Sequence, residues 1–294
     1  MASRERRPPL LVTGVPRSGT TWLARKLSTD PRTSMPGREP MNPRGRQFAL
    51  GGALHSWVRR EAFPPAEAAV IRRCFAGREP RTLSRYGVRQ WAALLPTTRM
   101  VIKDPFAMLS IGAIHRLTGA LPVLIYRHPA AVLASYRRMG WSADTADMLA
   151  LGAPAPSGGG DGGDLQEMAA MWTWCHQVAL SDLALIDDAV VVSHQRLTAA
   201  DTRAWLTLGR HLGVELPLTE ARPLEARSDA HEPRTNVLHD FERSTADVES
   251  GWRRQVDADE IRAMENLVGD VWEALENVQF PLPTSDVGMK DEST

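Results

Sequence analysis

The sequence is poor in the features that mark several large classes of protein. It holds two cysteines, Cys74 and Cys175, in 294 residues, which give neither a disulfide framework nor a metal-ligand spacing. No apolar run approaches the ~18 residues that a membrane span needs. The opening MASRERRPP contains no apolar signal region. We therefore expect a soluble, cytoplasmic protein with no membrane partner.

An excess of charge of one sign is also lacking. Lys plus Arg and Asp plus Glu each number 35, so the formal net charge is zero and no basic field argues for a nucleic-acid partner. Lysine is rare and occurs only as Lys26, Lys103 and Lys290. Arginine abundance is therefore poor evidence of an anion site, whereas Lys103 stands out.

Residues 10–22, LLVTGVPRSGTTW, read as a strand, a tight loop and the start of a helix. At such a helix start the backbone N–H groups converge on an anion, and the helix dipole favours negative charge. The spacing from Gly14 to Gly19 matches a nucleotide-triphosphate loop. Thr20, however, stands where such a loop carries the lysine that neutralises the β- and γ-phosphates. We predict a phosphate site that does not suit a triphosphate–magnesium complex.

Short apolar runs alternate with helical patterns along the chain. The predicted strands are 10–14, 99–103, 121–126 and 189–193, and helical patterns cover 130–139, 166–187 and 199–212. This alternation predicts a three-layer α/β fold, with a central, mainly parallel sheet flanked by helices. Ligands bind such sheets at the carboxyl edge. Three of the strands end there in polar or charged residues, at Gly14 to Arg17, Lys103–Asp104 and Arg127–His128.

We expect one domain over residues 1–281. Within it, the Gly/Pro-rich residues 152–164 predict a flexible loop. Residues 282–294 predict a polar C-terminal tail.

The run PRSGTTW resembles the 5′-phosphosulfate loop of sulfotransferases that use 3′-phosphoadenylyl sulfate (PAPS). The resemblance implies a P-loop-like sulfotransferase fold, PAPS as donor, 3′,5′-ADP (PAP) as product, and no metal. It places the cofactor against Arg17, Ser18, Gly19, Thr20, Thr21 and Trp22.

A second phosphate signal lies in residues 123–138, VLIYRHPAAVLASYRR. Arg127 ends a predicted strand, and Ser135 follows eight residues later in the next helix. The sulfotransferases that the chain resembles place an Arg and a Ser at this separation on the 3′-phosphate of PAPS. Arg offers a charged fork and Ser a hydroxyl donor, which both suit a phosphate.

Residues 243–253, RSTADVESGWR, are similar to a segment that closes over the 3′-phosphate in cytosolic sulfotransferases. In that family an Arg-Lys-Gly precedes a Trp-Lys pair. Here Trp252 and Arg253 match the second part, and Arg243 and Ser244 stand near the first part without a Lys-Gly pair. The resemblance therefore implies cofactor contacts from Arg243 and Ser244.

Sulfuryl transfer needs positive charge at the bridging oxygen and a base for the acceptor proton. The resemblance makes Arg17 the electrophile at the leaving group and places Lys103 beside the sulfuryl group. Cytosolic relatives carry a catalytic His two residues after this Lys, where the present chain has Pro105. Our candidate base is Glu39, because carbohydrate-type sulfotransferases often carry a Glu one segment after the phosphosulfate helix.

Other residues remain alternatives for the base. Asp104 is expected to orient Lys103, and His55 lies in an apparently helical run, ALHSWVRR. His194 stands at a strand end, but no recognised motif adjoins it. The tryptophans at 57, 91, 141, 172 and 174 either fill the core or line an acceptor pocket, and Trp22 is expected to pack the loop's helix.

These residues predict a PAPS-dependent sulfotransferase acting on a hydroxyl of a small molecule, natural product or glycan. Two alternatives are a P-loop kinase and a non-catalytic PAP-binding protein on the same scaffold. The lysine missing from the loop argues against the kinase, and the missing His motivates the non-catalytic reading. A homodimer is left open.

Overall fold

A six-stranded sheet forms the centre of the computed structural model, which describes residues 7–44, 50, 53–95, 97–157, 163–218 and 251–283. The strands are β1 (Leu10–Thr13), β2 (Thr33–Gly37), β3 (Leu83–Val88), β4 (Arg99–Lys103), β5 (Leu121–Tyr126) and β6 (Val190–Ser193). Their order is β3-β2-β4-β1-β5-β6, and all neighbours are parallel except β3, which is antiparallel to β2. The predicted α/β fold with a mainly parallel sheet is confirmed.

Helices cover both faces of this sheet. They are α1 (Thr20–Leu27), α2 (Pro65–Phe75), α3 (Ile111–Thr118), α4 (Pro129–Met139), α5 (Thr145–Ala150), α6 (Asp164–Leu183), α7 (His194–Ala199), α8 (Thr202–Leu212) and α9 (Ala258–Val278). The start of α9 is fixed by a capping box, in which Asp257 and Glu260 satisfy each other's backbone N–H groups. None of the helices among the described residues is both long and apolar enough to cross a membrane.

Two hydrophobic cores lie on opposite faces of the sheet, because successive strand side chains point to opposite sides. Leu11 is buried on the face covered by α2, α3, α4, α6 and α9. Leu10 and Val12 are buried on the other face, with α1 and α8. Each fully buried Leu or Val contributes about 2 kcal/mol. The β1 end that carries the loop is therefore held from both sides.

Several sequence predictions need correction. The pair β2 and β3 is not predicted, since β2 contains Pro36 and β3 is partly exposed along its length and contains Gly87. The run around His55 forms no helix over 53–60, and His55 is exposed. Leu282 packs against the second core, so ordered packing extends one residue into the predicted tail.

Some predictions fall partly or wholly outside the described residues. Of the Gly/Pro-rich segment 152–164, residues 152–157 contain no helix or strand, α6 begins at Asp164, and 158–162 are not described. Arg243 and Ser244 are not described either.

Candidate active site

The loop between β1 and α1 bends so tightly that two of its positions require glycine. A Cβ on Gly14 would lie 2.1 Å from the carbonyl oxygen of Ile125, and Gly14 has a φ of +153°. Gly19 has a φ of +95° and caps α1. Arg17 also has a positive φ, +76°, which costs an L-residue roughly 1–2 kcal/mol. Strain of this kind is concentrated at binding sites.

The first turn of α1 presents its backbone N–H groups without a side-chain cap. The N-cap is Gly19, and neither a capping side chain nor an acidic residue occupies the first turn. Uncapped N–H groups and the positive end of the helix dipole favour an anion at this point. The Ser18 Oγ is buried and has no hydrogen-bond partner among the described residues. This orphaned donor fits a ligand oxygen in the loop.

Four side chains meet beside the loop, and we call Arg17, Arg127, Ser135 and Arg138 the phosphate cluster. The Nε of Arg17 donates to the Oγ of Ser135 at 2.9 Å, and an Nη of Arg138 donates to the same oxygen at 3.3 Å. An Nη of Arg127 donates to the Arg17 carbonyl at 3.4 Å. Burial, and to a lesser degree the charge of Arg138, lower the pKa of Arg17. The cluster concentrates positive charge and hydrogen-bond donors.

The phosphate cluster joins two motifs that lie more than a hundred residues apart. The sequence places Arg17 at the leaving group, whereas in the structure its guanidinium is bonded to Ser135. Arg127 and Ser135 are both buried, at the end of β5 and in the second turn of α4. Arg138, which the sequence analysis missed, follows Ser135 by three residues and so lies on the same helix face.

Aromatic residues pack against Arg127 and its chain neighbour His128. The indole Nε1 of Trp172 donates to the Arg127 carbonyl at 3.1 Å. Trp252, from the predicted closing segment, stacks on His128 with ring centroids 5.0 Å apart. His128 adjoins Arg127 in the chain and caps α4, accepting from the Ala130 N–H. The described part of the closing segment therefore packs one residue from Arg127.

His194 contacts the loop although no motif in the sequence pointed to it. Its ring lies so close that a Cβ on Gly19 would be 2.5 Å from the His194 Cδ2. The same ring packs on Trp22 at 5.5 Å between centroids, and Trp22 packs edge-on against Trp205. Trp22 thus packs the loop's helix as predicted. The signal for His194 was its position directly after β6, a strand adjacent to β5.

A second group of side chains lies at the ends of β2 and β4, and we call Glu39, Asn42, Lys103 and Asp104 the Glu39 cluster. The Lys103 ammonium forms an ion pair with one Glu39 oxygen, and the Asn42 amide donates to the other. Lys103 is buried and Glu39 is mostly buried. The structure therefore brings the candidate base and the rare lysine into direct contact.

Asp104 holds the Glu39 segment through hydrogen bonds to backbone N–H groups. One carboxylate oxygen accepts from the Met41 N–H at 2.6 Å and the other from the Phe106 N–H at 3.0 Å. The Asp104 carbonyl accepts from Thr13 Oγ1 at 2.8 Å, at the end of β1. Burial, and the neighbouring Glu39 carboxylate, raise the pKa of Asp104. Asp104 therefore ties the Glu39 segment to the strand before the loop.

The remaining candidates separate into core and surface residues. Trp57, Trp172 and Trp174 are buried, whereas Trp91 is 74% exposed. The Trp141 ring lies 5.8 Å from the Arg17 guanidinium carbon.

Within the described parts of the chain, no three His, Cys, Asp or Glu side chains are grouped as a metal ion would require.

A mainly parallel α/β sheet, with a glycine-bounded loop and an uncapped helix start after one strand, is typical of nucleotide- and phosphate-binding proteins. The sequence model described as Sulfotransferase family matches residues 8–217, which is more than half of the chain. The chain therefore belongs to the sulfotransferase family, whose members transfer sulfuryl groups.

Solved structures of sulfotransferases resemble the chain at low sequence identity. A sulfotransferase from Alicyclobacillus acidocaldarius shares 12% identity with a TM-score of 0.48, covering 92% of this chain and 95% of the other. Mouse sulfotransferase SULT7A1, solved with PAP, shares 13% with a TM-score of 0.48, covering 92% and 89%. The sulfotransferase domain of the Synechococcus PCC 7002 olefin synthase shares 17% with a TM-score of 0.49, covering 96% and 99%. No curated protein sequence matches.

Proposed function

We propose that this protein transfers a sulfuryl group from PAPS to a hydroxyl of a small-molecule, natural-product or glycan acceptor. The observation that carries the proposal is the phosphate cluster beside the loop at 14–19. PAPS differs from ATP in carrying phosphate on both sides of one ribose, so it needs two anion sites close together. The loop and the cluster supply two such sites, which adjoin through Arg17.

The residues present fit the donor. The uncapped N–H groups of α1 and the buried Ser18 hydroxyl would hold the 5′-phosphosulfate. Arg127 and Ser135 would hold the 3′-phosphate through a charged fork and a hydroxyl. Thr20 in place of the triphosphate-loop lysine favours this donor over ATP. When bound, PAPS supplies an activated sulfuryl group with a phosphate leaving group.

In the transfer, Glu39 would act as the general base and Lys103 would stabilise negative charge. Glu39, which contacts Lys103, would accept the acceptor hydroxyl proton at a carboxylate oxygen. Lys103 would place its positive charge beside the sulfuryl oxygens, where negative charge accumulates. Asn42 and Asp104 orient the Glu39 segment before the reaction. Because Lys103 is buried, its charge is weakly screened by water.

The donor is tested by calorimetric titration with PAP and, separately, with ATP and Mg²⁺. We expect PAP to bind at least tenfold more tightly than ATP–Mg²⁺. A preference for ATP–Mg²⁺ would instead favour a kinase and overturn the proposal.

Turnover is tested by PAP release from PAPS in the presence of hydroxyl acceptors. The panel contains simple phenols, aliphatic alcohols and sugars, and EDTA is added in parallel. We expect turnover with at least one class and no effect of EDTA. PAP binding without turnover on any class would favour a non-catalytic PAP-binding protein.

A further inference from the structure

Arg138 lies at the point where the proposed 3′-phosphate would bind, although neither the motif nor the family match assigns it a role. It lies one helical turn after Ser135 on α4, and its Nη donates to the Ser135 Oγ at 3.3 Å. The Nε of Arg17 donates to the same oxygen at 2.9 Å. Two guanidinium groups from different elements thus converge on one buried hydroxyl.

The hydrogen bonds at Ser135 leave its hydroxyl group able to donate a hydrogen bond to an anion. A hydroxyl has two acceptor lone pairs and one proton. Arg17 and Arg138 donate to its oxygen, so the proton is what Ser135 can offer to a ligand. An Nη of Arg127 donates to the backbone carbonyl of Arg17 at 3.4 Å, so a third guanidinium group contacts the loop that carries Arg17. A phosphate placed here would accept from the Ser135 hydroxyl and from the guanidinium groups beside it.

The neighbouring arginine on the same helix has a different role. Arg137 pairs with Asp164 through Nε at 2.7 Å and with Glu260 at 2.7 Å, so two carboxylates neutralise its charge. These bonds raise the pKa of Arg137. Arg137 therefore ties α4 to α6 and α9, whereas Arg138 donates a hydrogen bond to Ser135 within α4.

We propose that Arg138 binds the 3′-phosphate of the donor together with Arg127 and Ser135, an inference that rests on the function proposed above. Arg138 would thereby be a specificity residue that distinguishes a 3′-phosphorylated nucleotide from one without this phosphate. Its long side chain would reach the anion from the solvent side, opposite the buried Arg127.

The experiment compares PAP with AMP, which lacks the 3′-phosphate, by calorimetry on the full chain. Arg138→Gln is expected to weaken PAP binding about tenfold or more and to leave AMP binding within about twofold, because a charge-assisted hydrogen bond is lost. Arg138→Lys, which keeps the charge and loses the fork, is expected to fall between. Arg137→Gln is the matched control and is expected to leave the PAP/AMP ratio unchanged. Thermal unfolding of each variant reports whether it remains folded.

Each outcome decides a different statement. A wild-type protein that does not prefer PAP over AMP would contradict the proposed function itself. A wild-type preference that survives in Arg138→Gln would leave the function standing and overturn the role of Arg138. An equal loss in Arg137→Gln would also overturn it, since the effect would then be one of general charge. A ratio that collapses only in the Arg138 variants supports the inference.

Discussion

The phosphate cluster and the Glu39 cluster lie at the same edge of one sheet and differ in the charged side chains that they bring together. In the phosphate cluster Arg17 and Arg138 donate to the hydroxyl of Ser135, and Arg127 donates to the Arg17 carbonyl. In the Glu39 cluster a carboxylate is balanced by a lysine and an amide. We expect a group of arginines and a hydroxyl to favour an anion, and a carboxylate to serve as a proton acceptor.

The difference assigns separate tasks to the two clusters, which share a physical link. Thr13, at the end of β1, donates to the Asp104 carbonyl at 2.8 Å. The same β1 end leads into the loop, and Asp104 holds the Glu39 segment through the Met41 N–H. If the two clusters have these separate roles, substitutions in the phosphate cluster should mainly affect nucleotide binding, and those in the Glu39 cluster should mainly affect turnover.

The largest expected effect is that of Glu39→Gln on turnover. The amide keeps the shape and loses the base, so we expect turnover to fall by about 10²–10⁴-fold. PAP affinity should stay within about threefold, because Glu39 belongs to the other cluster. The measurement is PAP release from PAPS with an active acceptor, paired with PAP calorimetry. Unchanged turnover would move the base to another residue.

The second effect concerns the core beneath the phosphate cluster. His176 is fully buried, its Nδ1 lies 2.7 Å from the Trp172 carbonyl, and Trp172 in turn binds the Arg127 carbonyl. Burial lowers the pKa of His176 to about 4 from a value of 6.5. Between pH 6.5 and 4, His176 is therefore protonated in the unfolded chain and neutral in the folded chain. The free energy of unfolding falls as the pH falls through this range.

We expect this loss to reach about 3 kcal/mol of unfolding free energy between pH 7 and pH 4. Urea unfolding of the wild type and of His176→Gln at both pH values isolates the contribution, since carboxylates titrate in both proteins. The variant should be less sensitive to acid by that amount. Equal acid sensitivity in the two proteins would show that His176 is protonated in the folded state.

The third effect is that of Arg127→Ala on nucleotide binding. Loss of a buried guanidinium fork should weaken PAP about 10–100-fold and AMP much less, because AMP lacks the 3′-phosphate. Turnover at saturating PAPS should fall less than in Glu39→Gln. Equal losses for PAP and AMP would contradict the assignment of Arg127 to the 3′-phosphate.

The sequence predicts these two clusters unequally, for a physical reason. The loop is a local feature, since an apolar strand, two glycines and a helix start follow one another from Leu10 to Thr21. Arg127 and Ser135 are separated by one turn and part of a helix, so their proximity also follows from local geometry. Local features of this kind can be predicted from the sequence because they form between residues that are close in the chain.

The Glu39 cluster and His194 depend on contacts that no local pattern contains. Lys103 and Glu39 are 64 residues apart. They meet because β2, a strand that the apolar pattern did not reveal, pairs with the predicted strand β4. His194 reaches Gly19 because β6 lies two strands from β1 in the sheet. Glu39 was named from a resemblance, and its contact with Lys103 required the three-dimensional fold.

The smallest expected effect tests the link between the clusters. Thr13→Val keeps the shape of a buried residue and removes its hydrogen bond to the Asp104 carbonyl, which also accepts from the Ala107 N–H. We expect a loss of about 1 kcal/mol in unfolding free energy. Because Asp104 positions the Glu39 segment, we also expect turnover to fall about two- to fivefold while PAP affinity is unchanged.

A buried threonine away from the Glu39 cluster provides the control for this last effect. Thr33 Oγ1 donates to the Asp30 carbonyl at 2.8 Å and accepts from an Nη of Arg89 at 3.2 Å, so Thr33→Val removes bonds at the other end of β2. Its unfolding free energy should fall by at least as much as in Thr13→Val, and its turnover should match the wild type. If both variants keep full turnover, the bond at Thr13 stabilises the sheet without positioning Glu39, and the two clusters are independent.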